Sequence, residues 1–273
     1  MKKIFTHMFV DLDAVVSVWL VKRFVAGFHD AIVKFVPANW TPDSSFVAGD
    51  IAVDISAGLK GIDVEDQHHC AAWALWYDML SPQDRNALSD LVAYVDLQDE
   101  NGDVLTACGL EAHESVSLLR EAGLNSIFRG LQGSIKNDTQ VLALMETILD
   151  GLHDKAMARL RAEEEANTAE FFGNVAIIRN AQEFGTNGVL FSRGAKAVVF
   201  VDGNNLGVVR RNGLTVSMSH DSVRALIPTD EALEWFAHPA GFLFGRGTRK
   251  APVNTPSKVN PIAFATALAQ VVG

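Results

Sequence analysis

The chain of 273 residues has little cysteine, no long apolar run and no excess of basic residues. Its two cysteines, Cys70 and Cys108, stand far apart and form no CxxC pattern. That spacing argues against a disulfide framework and suits a reduced compartment. No stretch of about 18 apolar residues offers a membrane span, and the amino-terminal residues lack the apolar core of a signal peptide. We therefore expect a cytoplasmic protein without a membrane partner.

The charge balance argues against one class of partner. Lysine and arginine number 23 and the acidic residues 33, which gives a formal net charge of −10. Proteins that bind long nucleic acids usually carry a basic footprint, so we do not expect such a partner. An acidic chain fits the binding of divalent cations. The hydrophobic content of 48% suffices for a core, and the length favours two domains.

A histidine and two aspartates lie close together near the amino terminus. Residues 3–5 predict a short buried strand, and residues 14–26 carry apolar side chains at helical spacing. His7, Asp11 and Asp13 fall in the loop between them, the kind of crevice in which open α/β sheets bind ligands. Helix capping explains one carboxylate here but not two beside a histidine. The pattern therefore favours a metal site.

Further candidate ligands follow later in the chain. Asp54 ends a short apolar strand, where a charged side chain is costly without a partner. His68 and His69 open a predicted helix, although such a pair alone is more often surface decoration. Residues 82–97 predict a further helix, which ends in an acidic loop over residues 94–102 that offers Asp96 or Asp99 as one more ligand. EF-hand spacing is absent from this loop, so calcium binding of that type is a poor alternative.

This inventory has the donors for two metal ions. Two cations about 3.5–4 Å apart can activate a water between them. His7 and Asp11 suit one ion, and Asp13, His68 and Asp99 suit the other, with Asp54 between. Imidazole and carboxylate ligands without thiolate favour Mn²⁺, with Fe²⁺, Co²⁺, Zn²⁺ or Mg²⁺ as alternatives.

The remainder of the chain predicts a second, smaller domain. Residues 111–133 look helical with glycine breaks, and residues 139–172 read as one long helix with a charged end. Short strands are then predicted over 174–179, 188–191, 196–201, 206–211 and 214–219. Helical pieces are predicted near 229–237 and 261–271, with a basic, glycine-rich tail over 241–250 between them.

We therefore expect an α/β fold. Its parts are a doubly wound, mostly parallel sheet domain over 1–138, a linker helix over 139–172, and a smaller α+β domain over 173–273 that binds substrate.

The motifs resemble those of the DHH phosphoesterase superfamily. The resemblance rests on His7-x3-Asp11-x-Asp13, a lone Asp54 at a strand end, the pair His68-His69 and a later Asp99. That superfamily includes family II inorganic pyrophosphatases, RecJ-type exonucleases and phosphodiesterases of small oligonucleotides. The resemblance implies a two-metal phosphohydrolase with His68 as a metal ligand, His69 facing the phosphate, and a carboxy-terminal substrate domain.

Two departures from the family pattern stand out. The Asp-His-His motif reads Gln67-His68-His69 here, with Asp66 one position too early. The Gly-Gly-His-x-x-Ala-Ala-Gly signature of many carboxy-terminal domains is also missing. The nearest candidates for phosphate contacts are His238, Arg246, Arg249 and Lys250; the alternative is a plain solvated basic tail.

The sequence thus predicts a metal-dependent phosphoesterase acting on a phosphoester or phosphoanhydride. A hydroxide between two Mn²⁺ ions would attack phosphorus, with Asp54 and His69 as catalytic residues. The expected substrate is a nucleotide or short oligonucleotide. A second copy of the chain, in a homodimer, is one expected partner. The alternatives are a pyrophosphatase or polyphosphatase, and a non-catalytic metal- or nucleotide-binding sensor on the same fold.

Overall fold

The computed structural model describes residues 1–248 and 250–273, and these form a mixed α/β fold. The chain divides into two compact units, Met1–Ala156 and Met157–Gly273. The limits expected from the sequence, 1–138, 139–172 and 173–273, differ from this division and stay a prediction. Among the described helices, none is both long and apolar enough to cross a membrane.

The first unit contains a parallel sheet, a hairpin and most of the helices. Its strands are β1 (Lys3–His7), β2 (Ile32–Val36), β3 (Ile51–Ala52), β4 (Gly61–Val64) and β5 (Gln67–Cys70). Its helices are α1 (Leu12–Phe24), α2 (Ala71–Met79), α3 (Pro82–Asn101), α4 (Val104–Ala107), α5 (Val116–Ala122) and α6 (Leu124–Ser134). Helix α7 (Asp138–Ala166) begins in this unit, and the division between the units falls within it.

The parallel sheet has the order β2-β1-β3. Ile4 on one face joins the large core with α1, whose residues from Leu12 to Val21 are all buried. On the other face, Phe5 stacks on Trp40 and contacts Phe46, two aromatic residues of the loop that follows β2. The doubly wound arrangement expected from the sequence is therefore not complete, because loop aromatics cover this second face.

The second unit is built on one six-stranded sheet. Its elements after α7 are β6 (Glu170–Phe172), β7 (Val175–Arg179), α8 (Thr186–Ser192), β8 (Ala197–Asp202), β9 (Asn205–Arg210), α9 (Asp221–Arg224), a 3₁₀ turn (Ala232–Glu234), β10 (Trp235–Ala237), β11 (Leu243–Arg246) and α10 (Pro261–Val272). The strand order is β10-β11-β9-β8-β7-β6, and only the pair β7–β8 is parallel. Helix α10 packs on one face of this sheet.

Three secondary-structure predictions for this unit are wrong. The strand expected over 188–191 lies in α8, because a four-residue apolar run fits a buried helix as well as a strand. Residues 214–219 form turns and bends rather than a strand. The helical piece expected near 229–237 is a 3₁₀ turn, Ala232–Glu234, followed by the strand β10, Trp235–Ala237. Within the basic tail, Leu243–Arg246 form β11 inside the sheet.

Candidate metal centre

Three predicted ligands meet at one edge of the parallel sheet. Nε2 of His7, at the end of β1, lies 3.0 Å from Oδ2 of Asp54 and 3.4 Å from Oδ2 of Asp11. Each residue offers a ligand atom, and the three atoms lie within 4.8 Å of one another. Asp11 precedes α1 and Asp54 follows β3. Because β1 and β3 are parallel neighbours, their carboxyl ends bring these side chains together.

The His7 ring has the orientation of a metal ligand. Its Nδ1 lies 3.0 Å from the carbonyl oxygen of Met8, so Nδ1–H donates there and Nε2 faces the carboxylates. A backbone carbonyl in this position commonly fixes the tautomer of a ligating histidine. Hydrogen bonds to Asp11 and then Asp54 raise the pKa of His7 to about 11, against the opposing effect of burial. In the metal-free protein the imidazolium is thus the cation that the carboxylates hold.

Two residues at this group, Phe9 in the loop between His7 and Asp11 and the potential ligand Asp54, have a strained backbone conformation. Phe9 has φ of 57° and Asp54 has φ of 51°, in the left-handed region that disfavours side chains with a Cβ. The Phe9 N–H donates to Oδ2 of Asp138 at 3.0 Å, and Gln132 Nε2 donates to the Val10 carbonyl at 2.6 Å. Strain of this kind costs about 1–3 kcal/mol per residue and concentrates at functional sites.

Asp13 is buried and has a structural task that the sequence analysis missed. Its two carboxylate oxygens accept the N–H groups of Ala72 at 2.8 Å and Ala71 at 3.1 Å, at the start of α2. No side-chain cap from Cys70 serves that helix end. Burial, followed by the charge of Asp54, raises the pKa of Asp13 to about 7. Its role as a metal ligand stays a prediction.

The two adjacent histidines separate, because they lie in strand β5 and not at the helix start that was predicted. Successive side chains of a strand point to opposite faces. His68 is exposed, and its Nδ1 lies 2.7 Å from Oδ1 of Asp63 on β4. His69 instead points inward: its Nδ1 lies 2.6 Å from Oδ2 of Asp96, and its ring stacks on Trp73 at 3.9 Å.

His69, and not His68, thus lies beside a further set of potential ligand atoms. His69, Asp96 and Glu100 form a second group that could hold a metal ion. Neither this group nor that of His7 includes His68. Asp96 is one of the two alternatives, Asp96 or Asp99, that the sequence offered as a ligand, whereas Glu100 was not predicted.

A polar cavity of about 410 Å³ lies beside the first group. Asp11, Asp13 and Asp99 line it, together with Asn125 and Arg129 of α6. Burial, and then the charge of Asp11, raises the pKa of Asp99. Asp99 thus shares a cavity with two other predicted ligands. Arg129 adds a cation that no sequence pattern indicated.

Comparison with known proteins gives only remote likenesses. No family model matches the chain, and no curated protein matches it. A pGpG-specific phosphodiesterase, PggH, from Vibrio cholerae has a TM-score of 0.35 at 12% identity, over 90% of this chain and 92% of that one. RecJ with Mn²⁺ from Thermus thermophilus has a TM-score of 0.31 at 13% identity, over 99% of this chain and 52% of that one. Likenesses this remote transfer neither fold nor chemistry to this chain.

The residues predicted to bind substrate in the second unit have varied surroundings. Arg246 is 2% exposed, with Nε 2.6 Å from Oε2 of Glu234 and Nη2 2.8 Å from Oγ1 of Thr255. It therefore stabilises its own unit, and we leave it out of the proposed site. His238 is half-buried and Lys250 exposed. Arg249 lies outside the described residues.

Proposed function

We propose that this protein is a divalent-metal-dependent phosphohydrolase that acts on a phosphoester or phosphoanhydride. The observation that carries the proposal is the convergence of His7, Asp11 and Asp54 beside a cavity with Asp99 and Arg129. The chemistry that a divalent metal supplies at such a site is activation of water and neutralisation of charge on a phosphoryl group. The residue pattern that resembles the DHH superfamily supports the same reaction class.

The donors suit hard or borderline cations. His7, Asp11 and Asp54 would hold one ion, through one imidazole nitrogen and two carboxylate oxygens. A second ion would use His69, Asp96 and Glu100. In the alternative arrangement, Asp99, which lines the polar cavity, would bind the second ion instead. Such a donor set without thiolate favours Mn²⁺, and Mg²⁺, Fe²⁺, Co²⁺ or Zn²⁺ are alternatives.

The chain itself supplies positioning and charge. Asp96 and Trp73 hold the His69 ring from its Nδ1 edge and one face. If the second ion is held by Asp99 and not by His69, Nε2 of His69 would donate a hydrogen bond to a phosphoryl oxygen or a proton to the leaving group. Arg129 would hold a phosphate oxygen, because a guanidinium matches the geometry of phosphate with paired N–H donors.

The proposed substrate is a nucleotide or short oligonucleotide. The acidic balance of the chain disfavours a long polyanion. His238, Arg249 and Lys250 remain proposed contacts for a phosphate that does not react.

The test is a panel of phosphoesters. Purified protein with Mn²⁺ should hydrolyse bis-p-nitrophenyl phosphate and short oligonucleotides, and chelation by EDTA should abolish the activity. His68→Gln is the matched control, because His68 is exposed outside both potential metal groups. Binding of Mn²⁺ without hydrolysis of any ester would favour the sensor alternative. No bound metal would refute the proposal.

A further inference from the structure

A second cavity, of about 490 Å³, opens on the sheet of the second unit. It belongs to the face of the sheet opposite α10. Four neighbouring strands contribute register partners to this face, in the order Phe236, Gly245, Gly207 and Phe200. Two phenylalanines thus flank a pair of glycines.

The glycines are needed for the shape of this row. A Cβ on Gly207 would lie 2.4 Å from Cζ of Phe200, so the Phe200 ring extends across Gly207. A Cβ on Gly245 would lie 3.0 Å from Cα of Gly207 and 3.6 Å from the same Cζ. Phe200, Gly245 and the half-exposed Phe236 all line the cavity, and we call the part of it over Gly245, between the two phenylalanines, the slot.

A carboxylate lies at the edge of this slot. Glu234 lines the cavity, and Arg246 binds its Oε2 through both Nε and Nη2. Oε1 of Glu234 has no partner among the described residues. Arg246 is buried and fixes the group, so the slot presents an oriented acceptor beside apolar walls. An oriented acceptor of this kind selects ligands with N–H donors and disfavours anions.

We propose that this slot binds a purine base that presents an amine, with its ring between Phe200 and Phe236 and its N–H donors on Glu234. Aromatic side chains bind bases by stacking, and polar groups read the donors along the base edge. Guanine carries an exocyclic amine that would donate to Oε1, the oxygen of Glu234 that Arg246 does not bind. The proposal does not depend on metal chemistry in the first unit.

Nucleoside binding to the full chain without metal tests the proposal. Guanosine should bind, and ribose should not. Inosine, which lacks only the amine, should bind about tenfold more weakly, since a hydrogen bond to a charged acceptor is lost. Equal affinities for guanosine and inosine, or no binding of guanosine, would overturn the proposal.

A pair of matched variants locates the site. Phe236→Ser should weaken guanosine binding by about tenfold or more, the scale expected for a lost stacking partner. Phe171→Ser is the control: Phe171 is comparably exposed and lies on the opposite edge strand of the same sheet. The control should bind guanosine as the parent does. Equal affinities in both variants, with unchanged melting temperatures, would place the base elsewhere.

Kinetics distinguish two sources of the base. If the base belongs to the substrate, guanosine should raise KM for a guanine nucleotide and leave kcat unchanged. If it belongs to a separate effector, guanosine should change kcat. Binding of guanosine by a protein that hydrolyses no phosphoester would refute the proposed function and leave this site standing.

Discussion

The two units differ in how far their buried charged side chains are neutralised by neighbouring groups. In the second unit, Arg246 lies between Glu234 and Glu231, with Nε 3.9 Å from an oxygen of Glu231. Burial would raise the pKa of Glu231, but hydrogen bonds from Lys258 and Ser257, with the charge of Arg246, hold it below its usual value. This carboxylate is compensated by its own unit.

The candidate metal centre of the first unit is compensated only in part: burial would raise the pKa of Asp11, but hydrogen bonds from His7 and Ala14 hold it below its usual value. Burial raises the pKa of Asp13, Asp54 and Asp99, and neighbouring carboxylates raise it further. His7 is the one imidazole held directly by Asp11 and Asp54 among the described residues. The carboxylates of the first unit repel one another, whereas Glu231 of the second unit is neutralised. Because perturbed pKa values concentrate at functional sites, this difference supports a ligand at the first site.

The largest expected effect comes from Asp54→Asn. Asparagine tolerates the positive φ of this position, so the variant removes charge without removing the backbone conformation. Loss even of an outer partner of a metal site costs about 10–100-fold, and loss of a ligand should lower hydrolysis at least about a hundredfold. Metal titration and kcat/KM measure this.

Asp63→Asn is the control for that variant. Asp63 lies on the hairpin of the same unit and pairs only with exposed His68 among the described residues. It should keep parental activity. An Asp54→Asn protein with parental metal affinity would show that the carboxylate cluster is not a metal site.

Arg246→Met should lower the stability of the second unit and leave metal binding unchanged. Removing one partner of a buried ion pair costs about 3–5 kcal/mol of folding free energy, so urea unfolding should detect a much weaker second unit. Mn²⁺ affinity should not change. If stability instead stays parental while KM for a nucleotide rises, Arg246 binds phosphate and the contrast between the units fails.

Substitutions of the two adjacent histidines should differ by about 10–100-fold in their effect on kcat/KM. His69→Gln or Asp96→Asn disrupts the inward pair and should lower kcat/KM on that scale. His68→Gln, on the opposite face of the same strand, should remain within about twofold. Assays with one phosphoester measure both. Comparable losses for the two histidines would favour His68 as a ligand after all.

These histidines illustrate what the sequence predicts and what it misses. Local patterns predicted β1 and α1, and they placed His7, Asp11 and Asp13 at the junction, although His7 ends β1 and Asp13 lies in α1. The register of β5 decides which histidine points inward, and a strand too short to show alternation gives no signal for it. The sequence assigned Arg246 to phosphate binding and missed its buried ion pair for a related reason, since only the pairing of β10 with β11 brings Glu234 to it.

The smallest expected effect is a pH-dependent shift in melting temperature on adding Mn²⁺. The folded pKa of Asp13, about 7, exceeds the unfolded value of 3.8. Its contribution is therefore present below pH 3.8 and is lost as pH rises through 7. That of His7 is present below pH 6.5 and is lost as pH rises towards 11. These two groups should thus contribute less to the stability of the metal-free protein at weakly alkaline pH than in acid.

A bound cation should reverse that loss, because it takes the place of protons at the same groups. We expect Mn²⁺ to raise the melting temperature by several degrees at about pH 8 and by less at about pH 5, as ligand linkage predicts when affinity grows with pH. Asp54→Asn should flatten the difference and Asp63→Asn should keep it. Equal shifts at both pH values would mean that Mn²⁺ binds away from Asp13 and His7, and the uncompensated carboxylates would need another explanation.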